Sequence, residues 1–280
     1  MEAPSSRRFW VTVAAAGALI LAISGCAATA PDHTAPPAEH TIVALGDSIP
    51  FNSPNDCPGC TGFVESYAVA LGEQSGVEYT TINRSRHDGA KTADIVEELA
   101  SGSLDDELAG ADIVILSIGL NDQPPYDESG APCGVDQFDT DQQAIAAVLA
   151  TTPECLDEQT AVLRGRLASI LASVRSLAPD AQLFALTGYN TWTGWATLES
   201  VDPTTKDAAT NVIVGGLQRW RDAVCAEVAA VDGTCVDLFG AFNGSDGVTP
   251  SGSLLGPDYA HPSQQGYDRI RDLLLEASGA

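Results

Sequence analysis

Basic residues are scarce in this sequence. The 280-residue chain carries 13 lysines and arginines against 38 acidic residues, which gives a formal net charge of -25. Arg7 and Arg8 form the one pair of adjacent basic residues. A chain of this charge repels phosphate backbones and anionic lipid surfaces, so nucleic acid is excluded as an expected partner. We interpret the acidity as a solvated surface that favours solubility.

Long apolar runs are equally few. One run, residues 9–23 (FWVTVAAAGALILAI), follows Arg7-Arg8 and is too short for a comfortable membrane span. Its length predicts the core of a signal peptide covering residues 1–25. The run leads into Ser24-Gly25-Cys26, which with Ile23 resembles the bacterial lipobox, so Cys26 is predicted to be lipidated. The alternative is an ordinary secretory signal cut after Ala30.

The segment after the signal peptide cannot make a core. Residues 26–40 are rich in proline and alanine and predict a tether, followed by one folded domain over residues 41–280. We therefore expect an exported protein, held by the lipid on Cys26 at the outer face of a bacterial cytoplasmic membrane, or secreted if the alternative cleavage holds. We expect it to be a monomer.

Six cysteines remain when Cys26 is set aside, and export places them in an oxidising compartment. They fall into three local couples along the chain, which predicts three disulfides: Cys57–Cys60, Cys133–Cys155 and Cys225–Cys235. The CPGC segment at 57–60 could instead be a redox or metal pair. The sequence lacks a second CxxC that would complete a zinc site.

Short apolar runs alternate with longer amphipathic stretches from Thr41 onward, which predicts a parallel sheet with crossover helices. The predicted strands are 41–46, 77–83, 112–119, 181–188 and 234–242. The predicted helices are 62–74, 92–101, 141–177, 205–230 and 261–277.

Residues 123–160 are irregular at their start (QPPYDESGAPCG) and contain Cys133 and Cys155. A connection of this length in an α/β domain is usually functional or an insertion. We interpret it as a disulfide-pinned insertion at the rim of the active face, with surface elaboration as the alternative.

Polar residues follow several predicted strands. In an open parallel sheet, ligands bind beyond the carboxyl ends of the strands, so these residues are expected to share one rim. The polar residues are Ser48, Asn121, Asp258 and His261, and Gly89 follows the second strand at the same rim. A serine, a histidine, a carboxylate and oxyanion donors are the components of an acyl-transfer site.

His261 is the candidate base for Ser48, because Asp258 precedes it by three positions and can orient its ring. The backbone N–H groups of Ser48 and Gly89 and the side-chain amide of Asn121 would supply oxyanion donors. Taken singly, each feature has a simpler interpretation: DxxH as an exposed surface pair, and Gly89 and Asn121 as turn residues.

Together these residues resemble the SGNH hydrolases, also called GDSL esterases and lipases. The matching segments are ALGDS (44–48), DGAKTADI (88–95), IGLND (118–122) and DYAH (258–261). The resemblance implies a flavodoxin-like, three-layer α/β/α sandwich with a five-stranded parallel sheet. It also implies ester hydrolysis without metal or cofactor, with Ser48, His261 and Asp258 catalytic and Ser48, Gly89 and Asn121 forming the oxyanion hole. The α/β-hydrolase motif G-x-S-x-G is absent from the sequence.

Two segments depart from the usual pattern of that family. NRSRHDG (83–89) is one residue longer than the usual second block. The loop 50–62 separates Ser48 from the next helix, so we expect little help from that helix's dipole.

Aromatic residues Tyr189, Trp192 and Trp195 follow the fourth predicted strand. They could form an acyl pocket or stack on a sugar ring, or they could pin the loop to its own domain. The expected substrate is a neutral ester, either an acyl lipid or an acetylated glycan. The competing hypothesis is a non-catalytic envelope lipoprotein that uses the same fold to bind a ligand.

Overall fold

The computed structural model of the protein describes residues 40–124 and 139–279. They belong to the compact unit that spans Pro37–Ala280. Outside the described residues lie the predicted signal peptide, residues 26–39 of the predicted tether with Cys26, and Cys133. Within the described part, no helix is long and apolar enough to cross a membrane.

Five strands form the central sheet of the described residues: β1 (His40–Gly46), β2 (Tyr79–Asn83), β3 (Ile113–Ser117), β4 (Gln182–Leu186) and β5 (Thr234–Val236). Every neighbouring pair is parallel, and the order across the sheet is β2-β1-β3-β4-β5. This is the flavodoxin-like strand order, and the predicted fold class is confirmed.

The helices of the described residues cover both faces of the sheet. They are α1 (Ser48–Phe51), α2 (Phe63–Ser75), α3 (Thr92–Ala100), α4 (Asp105–Ala109), α5 (Asp141–Ala150), α6 (Pro153–Leu177), α7 (Ala196–Glu199), α8 (Pro203–Ala229), α9 (Leu238–Asn243) and α10 (Gln264–Ser278). A 3₁₀ turn spans Gly252–Leu254.

Side chains of β1 alternate between the two halves of the core, as the two-residue period of a strand requires. Val43 and Leu45 pack with residues of α3, α6 and α8, including Trp220. Ile42 and Ala44 pack on the opposite face with residues of α2 and α10. The sheet is therefore the middle of three layers, and its rim is free to carry polar groups.

Two predicted boundaries were wrong because a cap ends the element. The predicted strand 234–242 stops at Val236, since the Asp237 carboxylate accepts the Gly240 N–H and begins α9. The predicted helix 141–177 is broken into α5 and α6 at Thr152, whose hydroxyl accepts the Cys155 N–H. Pro153 then occupies the first turn of α6, where its fixed φ suits the helix. Much of the predicted insertion is therefore helical.

The last helix also begins later than predicted. Ser263 is its N-cap and accepts the Gly266 N–H at 3.3 Å, so the helix begins at Gln264 and leaves Pro262 outside it. Pro262 instead pairs with Leu255 in an isolated antiparallel bridge. The Gly256 N–H donates to the His261 carbonyl at 2.8 Å within the same loop. The loop that carries His261 is thus closed by backbone bonds instead of by a helix.

Two of the predicted cysteine couples are bonded in the structure. Cys57–Cys60 has its Cα atoms 5.5 Å apart, and Cys225–Cys235 has them 4.9 Å apart. The second disulfide joins α8 to β5. The partner predicted for Cys155 lies outside the described residues, so that pair stays a prediction.

Candidate active site

Ser48 lies at the carboxyl end of β1, as the first residue of the single helical turn α1. Asp47 caps this turn, because its Oδ1 accepts the Ile49 N–H at 3.0 Å. Asn52 ends it in the left-handed conformation, with φ of 54°. The long helix α2 starts only at Phe63. Ser48 is therefore separated from α2, as the sequence predicted, although one turn of helix precedes the disulfide loop.

His261 lies beside Ser48, with its Nε2 2.9 Å from Ser48 Oγ. On the other side of the ring, Nδ1 is 2.7 Å from Asp258 Oδ2. The second oxygen of Asp258 accepts the backbone N–H groups of Ala260 and His261. These bonds fix both the carboxylate and the imidazole, and they join three side chains that the sequence placed in one predicted site.

The charge state of Asp258 follows from the same bonds. Partial burial alone would raise its pKa, but hydrogen bonds from the His261 ring and from the backbone N–H groups outweigh burial, and the pKa is lowered. An ionised Asp258 favours the tautomer with the proton on His261 Nδ1. That tautomer presents the Nε2 lone pair to the Ser48 hydroxyl.

The loop between β2 and α3 runs along the end of β1 towards Ser48. The Arg84 and Arg86 N–H groups donate to the carbonyls of Ala44 and Gly46 at 2.8 and 3.0 Å. Gly89 follows in this loop with φ of +77°, and a Cβ built there would meet nothing within 4 Å. Its backbone conformation is one that L side chains rarely adopt, which explains the glycine.

The side chain of Asn121 reaches the loop between β2 and α3. Its Nδ2 donates to the Ala90 carbonyl, the residue after Gly89, at 3.0 Å. A side-chain amide nitrogen carries two N–H donors, so one bond fixes the amide while its second donor can serve a ligand. Asp122 strengthens the same link, because its buried carboxylate accepts the backbone N–H and the hydroxyl of Thr92.

The predicted aromatic residues divide between two roles. Tyr189 is buried, stacks on Phe242 with ring centroids 4.6 Å apart, and donates its hydroxyl proton to the Ala260 carbonyl at 2.8 Å. It thus fixes the loop that carries His261. Trp192 and Trp195 are half-buried and meet edge to face, with centroids 5.2 Å apart.

Two cavities lie side by side at this rim. The first, of about 200 Å³, is lined by Asn121, Tyr189, Trp192 and Ala260 together with apolar side chains that include Leu120, Ile213 and Leu217. The second, of about 210 Å³, is lined by Ala144, Thr191, Trp192, Trp195, Asp258, Tyr259 and Ala260. Trp192 is shared by both, whereas Trp195 lines the second alone of these two.

Sequence reasoning missed one neighbour of His261. Asp56 directly precedes the disulfide loop, and its Oδ2 lies 3.6 Å from His261 Nε2 and 2.7 Å from His87 Nε2. Within residues 40–124 and 139–279, these three side chains form a group in which one ligand atom from each lies within 4.8 Å of the others. Nothing in the local sequence around Asp56 indicates this contact, because it depends on the path of the loop.

Comparison with known proteins identifies the relatives of this chain. Residues 44–269 match the model of the GDSL-like Lipase/Acylhydrolase family. No curated protein matches the chain.

Solved structures share its fold. The lipase Lip_vut3 from a goat rumen metagenome is 18% identical, with a TM-score of 0.62 over 85% of this chain and 97% of that one. An extracellular lipase from Streptomyces rimosus is 18% identical, and phospholipase A1 from Streptomyces albidoflavus NA297 is 19% identical. Both have TM-scores of 0.52 and cover 85% of this chain and 99% of theirs.

Proposed function

The chain belongs to the GDSL-like lipase/acylhydrolase family and is a carboxylic ester hydrolase, and we propose that it acts as an exported serine esterase through Ser48, His261 and Asp258. The observation that carries this proposal is the continuous line of contacts from Ser48 Oγ through the two ring nitrogens of His261 to the Asp258 carboxylate. A serine hydroxyl needs such a base to become a useful nucleophile.

In the first step, Ser48 Oγ attacks the ester carbonyl carbon while His261 Nε2 takes the hydroxyl proton. The tetrahedral intermediate collapses as the bond to the alcohol oxygen breaks, and His261 returns the proton to that oxygen. The acyl group remains on Ser48 as an ester. Asp258 stabilises the imidazolium through Nδ1–H without taking the proton.

In the second step, His261 removes a proton from water, and the resulting hydroxide equivalent attacks the acyl-enzyme. Ser48 leaves with the proton from His261, and the carboxylic acid is released. During both steps the oxyanion is stabilised by the backbone N–H groups of Ser48 and Gly89 and by the Asn121 amide. The bond from Asn121 to Ala90 supports this role, because it holds the amide beside the Gly89 segment.

We assign the acyl chain to the first cavity. Asn121 lines that cavity together with apolar side chains, so an ester carbonyl at Asn121 would place its acyl chain in the cavity that Leu217 and Trp192 also line. This favours an ester with an acyl chain longer than acetyl, such as an acyl lipid. Acetylated glycan is the alternative substrate class.

The experiment measures hydrolysis of p-nitrophenyl esters of increasing acyl length, and of acetylated polysaccharide, by the full-length protein. Ser48→Ala should abolish hydrolysis, while Ser75→Ala, which removes a hydroxyl bonded to Leu71 in α2, should leave it intact. Equal, low rates for the wild type and Ser48→Ala would contradict the esterase proposal and favour the ligand-binding hypothesis.

Paired tryptophan variants test the assignment of the acyl chain. Trp192→Ala opens a wall of the first cavity and should shift the preference to longer chains. Trp195→Ala changes the second cavity and should leave the preference unchanged. A shift with Trp195→Ala as large as that with Trp192→Ala would place the chain in the second cavity instead.

Export and anchoring are part of the same proposal. Disulfides in the described residues support an extracytoplasmic location. Cys26 is the proposed lipidation site, with residues 1–25 as the removed signal peptide and 26–40 as the tether. Cys26→Ala should release the protein from the membrane fraction in cells, and retention of this variant at the wild-type level would contradict the anchor.

A further inference from the structure

A second group of side chains converges on the ring of His261 from outside the proposed triad. Asp56 comes from the segment before the Cys57–Cys60 disulfide, and His87 comes from the loop after β2. The two histidine rings meet at Asp56 Oδ2, which lies 2.7 Å from His87 Nε2 and 3.6 Å from His261 Nε2. Neither Asp56 nor His87 has a role in the proposed hydrolysis.

The three donor atoms match what a zinc ion requires. Zinc binds imidazole nitrogen and carboxylate oxygen at about 2.0–2.2 Å, so two donors on one tetrahedral ion lie about 3.4 Å apart. The two measured separations fall on either side of that value, and all three donor atoms lie within 4.8 Å of one another. Small movements of the side chains would therefore bring them around one ion.

The surroundings hold these ligands in place. The Asp56 N–H donates to the Ser53 carbonyl at 3.1 Å, and the neighbouring Cys57 is fixed by its disulfide. The His87 ring contacts Phe51 on one side, with centroids 5.5 Å apart, and stacks near His261 with centroids 6.1 Å apart. His87 remains 40% exposed, which gives an ion access from solvent.

His261 also has the outer partner that metal-binding histidines usually have. Such a histidine donates its other ring N–H to a carboxylate, which orients the ring and raises its basicity as a ligand. Asp258 occupies this position at Nδ1, 2.7 Å away. The arrangement that prepares Nε2 to take a proton thus also prepares it to bind a metal ion.

We propose that Asp56 Oδ2, His87 Nε2 and His261 Nε2 form an inhibitory zinc site over the active serine. Zinc takes the lone pair of His261 Nε2, so that atom can no longer accept the Ser48 proton. At His87 the ion replaces the Nε2 proton, and the ring carries its proton on Nδ1. This inference rests on the proposed role of His261 as the base. Hard cations such as Mg²⁺ prefer all-oxygen ligand sets and should not inhibit.

The test combines binding and activity on the full-length protein. Isothermal titration calorimetry with zinc chloride should show one ion per chain, and His87→Ala and Asp56→Asn should weaken binding by at least about tenfold. The matched control is His40→Ala, because His40 also pairs with an aspartate, Asp112, at 2.9 Å, but in β1 and apart from the active site. It should bind zinc as the wild type does.

Activity is expressed for each variant as its rate with zinc divided by its own rate in EDTA. The wild type and His40→Ala should be inhibited, and His87→Ala should resist inhibition. Absence of zinc binding by the wild type, or equal binding by His87→Ala, would overturn the site. If zinc binds through His87 but hydrolysis is undiminished, then zinc does not inhibit and His261 is not a zinc ligand. The esterase proposal is tested separately: it fails if the wild type in EDTA hydrolyses the ester no faster than Ser48→Ala does.

Discussion

His261 Nε2 lies 2.9 Å from Ser48 Oγ, although 213 positions separate the two residues in the chain. The contact is made possible by two structures that end at the same rim: the turn α1 after β1, and the loop closed by the Leu255–Pro262 bridge. A mutation that disturbs either structure should act on catalysis through this distance.

Asp258→Asn should lower kcat by a smaller factor than His261→Ala. In the proposed mechanism, Asp258 orients the ring and stabilises the imidazolium, whereas His261 moves the proton. Steady-state kinetics on a p-nitrophenyl ester give both values, and the reverse order would mean that another group is the base.

Asn121→Ala should lower kcat by about 10²–10³-fold with a smaller change in KM, as expected for loss of one oxyanion donor. The variant also loses the bond to the Ala90 carbonyl, so thermal unfolding should be measured beside the kinetics. A rise in KM at unchanged kcat would assign Asn121 to ground-state binding.

Gly119→Ala should destabilise the protein by roughly 1–3 kcal/mol. Gly119 has φ of +104°, and a Cβ there would lie 2.3 Å from Cζ2 of the buried Trp220. The control is Gly165→Ala in α6, where a Cβ meets nothing within 4 Å and alanine should stabilise the helix. Urea unfolding compares the two, and equal stabilities would contradict the predicted clash.

Asp47→Asn should stabilise the protein increasingly as pH rises. The pKa of Asp47 is raised from 3.8 to about 7, chiefly by burial and to a smaller extent by nearby Asp122, while the bond from the Ile49 N–H acts to lower it. Between these pH values the unfolded chain loses the proton while the folded chain retains it, so the wild type loses stability as pH rises from about 4 to about 7.

Asparagine keeps the cap oxygen and does not titrate, so the wild-type penalty, about 4 kcal/mol at full effect, is absent in the variant. The melting temperature of Asp47→Asn minus that of the wild type should increase by roughly 8 to 15 °C between pH 4 and pH 8. A difference that stays constant with pH would show that Asp47 titrates normally in the folded protein.

The parallel α/β class of fold could be predicted because apolar runs such as TIVALG and DIVILSIG alternate with amphipathic stretches, and the flavodoxin-like sandwich was implied by the resemblance to the SGNH hydrolases. The break at Thr152 and the early end of β5 were not predicted, since a single capping side chain decides each of them. Ser48, His261 and Asp258 could be proposed from short motifs. Asp56 could not, because its contact with His261 arises from the path of the disulfide loop through space.

The proposed activation of Ser48 by His261 is tested most directly by covalent labelling of the full-length protein with a fluorophosphonate, followed by peptide mass spectrometry. We expect one adduct per chain, on Ser48, absent from Ser48→Ala and formed much more slowly by His261→Ala. Labelling of another residue, or labelling of Ser48 at the same rate in His261→Ala, would contradict the claim that His261 activates Ser48 as the nucleophile.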